Sequence, residues 1–424
     1  INVGVGATDS AGVLGLSQAE LATISGTGTI TIGSGANTGG IVETGTLNIA
    51  RDFFFTTGTT VAINAVIGGT TPVTSLTVTG PSGITIAANI TGNGNSLTFN
   101  SPVTLATNTV LTDSGDITFV STVNSDGTTR DLNVVSTAGS IFFNGAVGNT
   151  AALGALVLNG NVFSRFASTV VAGSVNVTGP MQLNGASVTT TGSQTYGGTV
   201  ALGAATVTLS SGANISLVGA LSGSGNNLNL TGTGAGAHVF SLTGATLTNN
   251  NIVVNPGSGT NTLVLQTGYA TQTFAITANN TGNVTGLTGL TGTFTFSNTG
   301  SLTGGVNNDT FTFGNGFTLS GSVDGGLGGT NLLNFAAYAT AVNVTVTSHT
   351  ATGYTGTTAG TPNPIAVGFS NITLVTAGSS TDTLTSTETG NSTWAITGAN
   401  AGSVTIGGVA LGFTNFENLV SGTG

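Results

Sequence analysis

Four aspartates lie close together in the sequence, Asp113, Asp116, Asp126 and Asp131, with Arg130 beside the last. Clustered carboxylates can act as general acid and base on a glycosidic bond or hold calcium, and an arginine can hold the uronate groups of an acidic polysaccharide. Asp113 and Asp116 stand three residues apart, so a straight strand would point them to opposite faces unless a turn intervenes. Aspartate is also a common turn residue. We favour turn positions over an acid–base site.

The two histidines, His238 and His349, lie far apart in threonine-rich stretches. A histidine serves as a metal ligand or general base when a second ligand or a nucleophile–acid pair stands beside it. Neither histidine has such a partner among its sequence neighbours. We therefore expect no catalytic and no cofactor-binding residues, and predict that the chain is not an enzyme.

Charge is scarce along the whole chain. It has 3 Lys+Arg and 13 Asp+Glu in 424 residues, which makes 4% charged residues, against roughly 25% in an ordinary soluble protein. Because lysine is missing altogether, counterion release has little to act on, which excludes nucleic acid as a partner. The lack of cysteine excludes disulfides and thiolate metal sites. Polar residues and glycine interrupt every apolar run, so no transmembrane segment is predicted.

The elements that must position these residues are short β-strands. Runs such as Ser75–Thr79 and Ser174–Thr178 alternate one apolar with one polar residue and end at glycine, asparagine or a similar turn residue. One face of each strand can then pack inward while the other meets water. The one helix predicted covers Leu16–Ile24, where Ser17 and Glu20 have the spacing of a capping box.

Stacked β-sandwich domains and a β-solenoid could both hold so many short strands. The texture is uniform over much of the chain, and the phrase at Leu97–Leu105 is echoed at Ile141–Val147 and at Gln194–Leu202. Repeats that cannot bury an apolar face alone stack into solenoids. We therefore predict an all-β solenoid fold with a β-roll-like or β-sandwich-like part at its C-terminal end. The predicted segments are an N-terminal segment with one short helix (1–50), a β-solenoid shaft (51–302) and a C-terminal β region (303–424).

Several of these segments are similar to parts of a known family. Asp9–Ile24 followed by Thr29–Gly33, and then Asp116–Phe119, Arg130–Val134 and Phe142–Gly148, resemble the repeats of large secreted proteins of the filamentous-haemagglutinin type. The resemblance implies a right-handed parallel β-helix in an exported adhesin or surface fibre, located outside the cell. It favours structural or adhesive work. The alternative is a β-helical polysaccharide lyase or hydrolase acting on acidic glycans, which would use the same fold.

A second resemblance concerns the C-terminal region. Gly304–Phe311 is similar to the calcium-binding nonapeptide of RTX proteins, with an asparagine in place of one glycine. Asp324–Leu332 keeps the glycines but has threonine at the ligand position, and Ala377–Leu384 keeps an aspartate and loses most glycines. The resemblance implies calcium as the one possible cofactor, with three candidate ligands: Asp309, Asp324 and Asp382. The alternative is a degenerate roll closed by asparagine and threonine hydrogen bonds.

The predicted partners follow from the ends of a solenoid. Its first and last strands carry unpaired backbone groups, which recruit further strands unless a cap covers them. The short helix is too small to cover a whole cross-section. We therefore expect end-to-end self-association into a filament, with surface glycans or other cells as further partners. The chain starts without an initiator methionine or signal peptide, so we interpret it as a processed secreted product or a piece of a longer protein.

Overall fold

The computed structural model describes residues 2–223, 225–244, 246–249, 251–265 and 271–422. These residues form an all-β fold, as predicted, with one short helix among them. The chain divides into two compact units, Ile1–Ser210 (unit 1) and Ser211–Gly424 (unit 2). The predicted segment limits at residues 50 and 302 stay a prediction. The outer ends of the predicted segments, Ile1 and 423–424, lie outside the described residues.

Unit 1 consists of short strands joined by tight turns. Each alternating run of apolar and hydroxyl residues forms one strand, because its apolar side chains share a core while the others meet water. The strands that begin in unit 1 are β1 (Asn2–Val5), β2 (Val13–Leu16), β3 (Ile30–Ser34), β4 (Ile41–Glu43), β5 (Asp52–Thr57), β6 (Thr60–Ile63), β7 (Ser75–Thr79), β8 (Gly83–Ile86), β9 (Ile90–Thr91), β10 (Ser96–Phe99), β11 (Val103–Leu105), β12 (Thr109–Asp113), β13 (Asp116–Phe119), β14 (Val123–Ser125), β15 (Leu132–Ser136), β16 (Ile141–Phe143), β17 (Leu153–Gly160), β18 (Ser164–Phe166), β19 (Val170–Val177), β20 (Met181–Leu183), β21 (Ser187–Thr190), β22 (Gln194–Tyr196), β23 (Val200–Leu202) and β24 (Thr206–Ser211).

Parallel pairing joins the strands of unit 1 in three series. In the first, β8 pairs with β11 and β11 with β14, so that Val103 lies opposite both Ile84 and Val123. In the second, β10 pairs with β13 and β13 with β16. In the third, β12 pairs with β9 and β15, which places Leu111 opposite Ile90. The partners carry apolar residues at the same inward positions, so each series keeps one continuous buried face.

A column of stacked phenylalanines runs through the core of unit 1. Phe99, Phe119, Phe143 and Phe166 occupy equivalent register positions in β10, β13, β16 and β18. The ring centroids of Phe99 and Phe119 are 5.1 Å apart and those of Phe119 and Phe143 are 4.7 Å apart, with nearly parallel planes. All four side chains are at most 1% exposed. We call this set the aromatic column.

The predicted helix is confirmed as α1 (Gln18–Thr23). Ser17 is its N-cap, and the reciprocal hydrogen bonds between Ser17 and Glu20 complete the capping box. The helix ends where Ile24 takes an extended conformation. Arg51 then holds the chain that follows, because its guanidinium donates to the carbonyl of Ile24 (2.9 Å) and to that of Gly28 (2.6 Å).

Unit 2 is also built from short strands, which extend over most of its described residues. Its strands are β25 (Ile215–Leu217), β26 (Leu221–Gly223), β27 (Asn227–Gly232), β28 (Val239–Leu242), β29 (Leu247–Asn249), β30 (Ile252–Asn255), β31 (Thr262–Val264), β32 (Thr271–Ala278), β33 (Thr281–Thr285), β34 (Phe294–Phe296), β35 (Ser301–Thr303), β36 (Asn308–Phe313), β37 (Ser322–Asp324), β38 (Leu332–Asn334), β39 (Val342–Thr350), β40 (Gly353–Gly360), β41 (Gly368–Ile372), β42 (Leu374–Thr376), β43 (Thr383–Ser386), β44 (Ser392–Gly398), β45 (Ala401–Ile406), β46 (Val409–Thr414) and β47 (Asn418–Val420).

Three antiparallel hairpins interrupt the parallel pairing of unit 2. The first joins β32, β33 and β34, the second β39, β40 and β41, and the third β44, β45 and β46. The opening strands of the first two hairpins also pair in parallel with a later strand, β32 with β36 and β39 with β43. Strand runs alone do not distinguish a hairpin from a parallel crossover, so these hairpins were not predicted.

A repeated turn accompanies each hairpin. The motif Phe-(Ser or Thr)-Asn occurs at Phe296–Asn298, Phe369–Asn371 and Phe413–Asn415. The asparagine of each copy has a positive φ, of 52°, 56° and 61° respectively. Asparagine adopts this left-handed region more readily than most residues because its short side chain bonds locally. In the first two copies an aspartate follows at the same distance, Asp309 in one and Asp382 in the other.

Candidate functional site

Asp309, the first of the predicted calcium ligands, lies in β36 with only 1% of its surface exposed. Its Oδ2 accepts the N–H of Gly305 (2.7 Å) and its Oδ1 accepts the N–H of Gln272 in β32 (3.3 Å). Its own N–H donates to Oδ1 of Asn331 (3.0 Å). Burial raises the pKa of Asp309 to about 6, although the two accepted bonds act to lower it. A Cβ at position 304 would collide with Oδ2, so Gly304 leaves room for the carboxylate.

Asp382 repeats this arrangement. Its Oδ1 accepts the N–H of Val342 in β39 (2.6 Å) and its Oδ2 accepts the N–H of Gly378 (3.0 Å). Its own N–H donates to Oε2 of Glu417 (2.8 Å). Burial, and to a smaller extent the negative charge of Glu417, raises the pKa of Asp382. Both aspartates therefore tie a turn of their own segment to the opening strand of a hairpin.

Asp324 has a different setting at the end of β37. It is only partly buried, and its Oδ1 accepts the N–H of Gly326 (2.9 Å) and the side-chain amide of Asn371 (2.7 Å). Within the described ranges, no three acidic, histidine or cysteine side chains converge as a metal site would need. N–H donors, rather than the oxygens that calcium prefers, surround the three carboxylates. This environment fits hydrogen-bonded caps, and calcium binding stays a prediction.

Removing the Asp309 carboxylate tests its role as a cap. We expect Asp309→Ala to lower the free energy of unfolding of unit 2 by about 2 kcal/mol, because two buried N–H groups lose their acceptor. Asp324→Ala, at a partly exposed position, is the matched control and is expected to cost less. Thermal melts with added calcium and with a chelator complete the test. A calcium-dependent rise in melting temperature that Asp309→Ala abolishes would contradict the role as a cap alone.

The acidic cluster also consists of residues with separate structural contacts. Asp113 is 1% exposed at the end of β12, and its Oδ1 accepts the N–H groups of Gly94 (3.2 Å) and Ser114 (2.7 Å). Its Oδ2 is buried without a partner in the described part of the chain, and burial raises its pKa. Asp116 accepts the N–H of Ser140 (2.8 Å). Both carboxylates therefore fix the chain at strand ends.

The other half of the cluster lies at the surface. Asp126 accepts two hydrogen bonds from the guanidinium of Arg130, at 3.0 and 2.8 Å, which lower its pKa. Asp131 accepts the N–H of Ala155 on the next strand of its series (2.7 Å). Exposed ion pairs of this kind contribute little to stability. The contacts of all four aspartates match the turn interpretation.

Asparagine side chains tie successive strands together at the surface of both units. In each case the Oδ1 of an asparagine accepts a backbone N–H from a strand or turn that comes later in the chain. Such bonds satisfy backbone donors that the strand pairing leaves free. We call these asparagines the amide caps. The pairs are Asn89 with Val110, Asn108 with Asp131, Asn124 with Thr150, Asn280 with Ser320 and Asn308 with Thr330.

Glu43 is a buried acid that sequence reasoning missed. It lies in β4 at an inward register position, opposite Val5 and Ile63, and is fully buried. Its Oε2 accepts the N–H of Ala65 (2.7 Å), while its Oε1 is buried without a hydrogen-bond partner among the described residues. Burial raises the pKa of Glu43 to about 7. The strand pattern Ile-Val-Glu contains the signal, because alternation places its glutamate inside.

A second missed cluster joins a histidine to an acid distant in sequence. Nδ1 of His349 lies 2.6 Å from Oε1 of Glu388, and the rings of His349 and Tyr354 are 5.6 Å apart. The Tyr354 hydroxyl donates to the carbonyl of Val409 (2.9 Å) and accepts the N–H of Ile406 (3.1 Å). Burial raises the pKa of Tyr354. A histidine and an acid side by side can exchange a proton, but sequence spacing could not reveal this pair.

The Tyr354 hydroxyl provides a direct test of this cluster. We expect Tyr354→Phe to lower the free energy of unfolding of unit 2 by about 1.5 kcal/mol, because a buried donor and a buried acceptor lose their partner. Tyr338→Phe is the matched control, since the Tyr338 hydroxyl has one printed bond, to the carbonyl of Phe317, and is expected to cost about half as much. Chemical denaturation measures both. Equal losses would show that the bridge made by Tyr354 adds nothing.

The other histidine, His238, is fully buried. Its backbone N–H donates to Oδ1 of Asn261 (3.0 Å), and its Nδ1 lies 3.2 Å from the same oxygen. Its Nε2 is buried without a hydrogen-bond partner in the described ranges. These contacts place His238 in the packing of unit 2.

Across the described residues, no helix has the length and apolar character needed to span a membrane. Comparison with family models, curated proteins and solved structures found no match to the chain. Its function is therefore inferred from its own residues and contacts.

Proposed function

We propose that each unit is a right-handed parallel β-helix. The observation that carries this is the order of pairing in unit 1: β10, β11 and β12 follow one another, and the next three strands, β13, β14 and β15, pair with them in the same order. A chain that visits three sheets in turn and then returns to the first describes a coil. Parallel crossovers are right-handed in nearly all proteins, which sets the hand of the proposed coil.

We further propose that the chain works as a structural or adhesive part of an extracellular fibre. The resemblance of Asp9–Ile24 and the following repeats to secreted fibrous proteins supports this location and this role. The use of carboxylates and amides as caps between strands also supports it, because these polar groups stabilise stacked strands. Rows of threonine and serine on the outward faces would then provide the surface that meets glycans or other cells.

The same proposal includes end-to-end association of subunits. β3 lies at the edge of its sheet, and all three residues of β47 are exposed. Open edges pair readily with other strands, and repeated head-to-tail contacts that do not close produce filaments. A net charge of −10 over 424 residues opposes such stacking only weakly.

Electron microscopy of the purified protein tests this function. We expect filaments with an axial repeat of one subunit, and fewer of them for Thr31→Lys, because a lysine on the edge strand β3 hinders pairing. Thr77→Lys, at the equivalent outward position of the internal strand β7, is the matched control and should still form filaments. Separate particles of the unmodified protein at micromolar concentration would contradict end-to-end association.

Incubation with a panel of acidic polysaccharides, with and without calcium, tests the non-catalytic role. We expect no new reducing ends and no unsaturated products. Product formation that Asp113→Asn or Asp116→Asn abolishes would overturn the proposal in favour of a glycan-cleaving enzyme.

A further inference from the structure

The opening strand of the third hairpin, β44, pairs with β45 along one edge, and this is its only strand register in the part of the chain that the structure describes. Ile396 is 61% exposed on this strand, and Trp394 is partly exposed. Residues 392–398 include no charged side chain. Natural edge strands usually carry a charge or a proline that prevents pairing with other chains. β44 is therefore an apolar strand with an open edge.

The first hairpin shows how an equivalent edge is covered. Phe274–Thr277 in β32 and Trp394–Thr397 in β44 share the pattern aromatic-Ala-Ile-Thr. In β32, however, Phe274 and Ile276 are at most 1% exposed, because β36 pairs in parallel along the edge. Phe311 of β36 lies opposite Phe274, and their rings stack with centroids 4.8 Å apart. The side chains that are buried in the first hairpin are thus left open in the third.

The second hairpin is covered in the same way. β43 pairs in parallel with β39, and its Leu384 lies opposite Val344, which is fully buried. The two covering segments share one sequence pattern, Asp-Thr-(Phe or Leu)-Thr, at Asp309–Thr312 and Asp382–Thr385. The same kind of edge is therefore covered twice by the same kind of strand.

The aspartate of the covering pattern recognises the covered strand directly. Oδ1 of Asp309 accepts the N–H of Gln272, and Oδ1 of Asp382 accepts that of Val342. Both donors lie two residues before the large apolar residue of the covered strand. The residue at this position in β44 is Ser392, two residues before Trp394. By the same register, the N–H of Ser392 would receive such an aspartate.

We propose that the open edge of β44 is a docking site for an extended segment of another polypeptide carrying the pattern Asp-Thr-(Phe or Leu)-Thr. The segment binds in parallel, so that backbone hydrogen bonds supply affinity and side chains supply specificity. Its aspartate accepts the N–H of Ser392. Its large apolar residue packs on Trp394 and covers Ile396. This site is independent of filament formation, because a single subunit contains all of it.

A peptide with the sequence of residues 304–313, Gly-Gly-Val-Asn-Asn-Asp-Thr-Phe-Thr-Phe, is the probe. Trp394 is the only tryptophan of the chain, so its fluorescence reports directly on the proposed site. We expect a saturable blue shift as the peptide removes water from the indole, measured on the full chain at dilutions where sedimentation shows single subunits. Lack of any saturable change would overturn the proposal.

Variant peptides test the two recognition elements. Asp309→Ala in the peptide is expected to weaken binding about tenfold, because it removes a hydrogen bond to a charged acceptor. Phe311→Ser in the peptide is expected to weaken binding by a similar factor through lost apolar contact. A scrambled peptide of the same composition is the control. Equal binding of all four peptides would overturn the proposed recognition.

A variant of the protein tests the location. Ile396→Lys, at an exposed position, should abolish the fluorescence change, whereas Leu327→Lys, where the wild-type leucine is 72% exposed in a turn, should preserve it. In hydrogen exchange, the peptide should slow residues 392–398 of the unmodified chain. Binding unaffected by Ile396→Lys would overturn the site. So would a concentration-dependent shift without peptide that the peptide does not reverse, since the edge would then belong to a second copy.

Discussion

Phe143→Ala is expected to lower the free energy of unfolding of unit 1 by about 3 to 5 kcal/mol, the range for removing a phenylalanine from a well-packed core. Phe143 is 1% exposed and lies within the aromatic column, between Phe119 at 4.7 Å and Phe166 at 5.7 Å. Its loss leaves a cavity that rigid parallel strands on either side cannot close. The rings above and below also lose their stacking partner.

The neighbouring phenylalanine of the same strand provides the control. Phe142 points outward, with its ring 5.4 Å from that of Phe163 and under the guanidinium of Arg165 at 4.8 Å. We expect Phe142→Ala to cost about 1 kcal/mol, because only a partly exposed contact is lost. Guanidinium titration followed by circular dichroism measures both variants. Equal losses would show that the aromatic column has no special part in the stability of unit 1.

The second large effect concerns pH. Unlike a protein in which most carboxylates form salt bridges, this chain should become more stable as the pH falls from 8 to about 5. Burial raises the folded-state pKa of Glu43 to about 7, and that of Asp309 to about 6. The folded chain therefore binds more protons than the unfolded chain between about pH 4 and pH 7. The stability that the neutral carboxyls contribute is complete below this window and is lost as the pH rises through it.

Glu43→Gln isolates the main contribution in unit 1. The amide keeps an acceptor for the N–H of Ala65 and carries no charge at any pH. We expect the variant to exceed the parent in unfolding free energy at pH 8 by on the order of 2 to 3 kcal/mol, and to match it near pH 5. Denaturant midpoints at the two pH values measure this.

An exposed acid supplies the control for the pH series. Glu20 has a lowered pKa because it accepts hydrogen bonds from Ser17. Glu20→Gln should therefore fail to stabilise the chain at pH 8. A parent chain that loses stability steadily on acidification from pH 8 to pH 5 would contradict the buried, protonated state of Glu43.

Local features of the fold were predictable from the sequence. The capping box at Ser17 and Glu20 acts over one helical turn, so α1 was predicted within two residues at each end. The alternation in Ser75–Thr79 likewise predicted a strand with one buried face. Pairing between strands depends on contacts between residues distant in the sequence. For this reason the hairpin of β39 and β40 and its parallel neighbour β43 were not predicted.

The candidate site was predicted in part. The aspartates at 309 and 382 were singled out through their glycine-rich surroundings, and the structure gives them closely matching contacts. Their role as acceptors of N–H groups could not be read from the motif, because the donors Gln272 and Val342 belong to strands much earlier in the chain. The pairing of His349 with Glu388 was hidden for the same reason.

The amide caps have a consequence for the order in which the chain can fold. In each of them the acceptor comes from the earlier residue and the donor from the later one, as in Asn89 with Val110 and Asn308 with Thr330. A strand that has already formed thus presents a fixed oxygen to the strand that follows it. A chain that emerges from its N-terminus can then add one strand at a time to an existing template. Asp309 works in the opposite direction, since it reaches back to Gln272, and so secures the earlier strand once the later one has arrived.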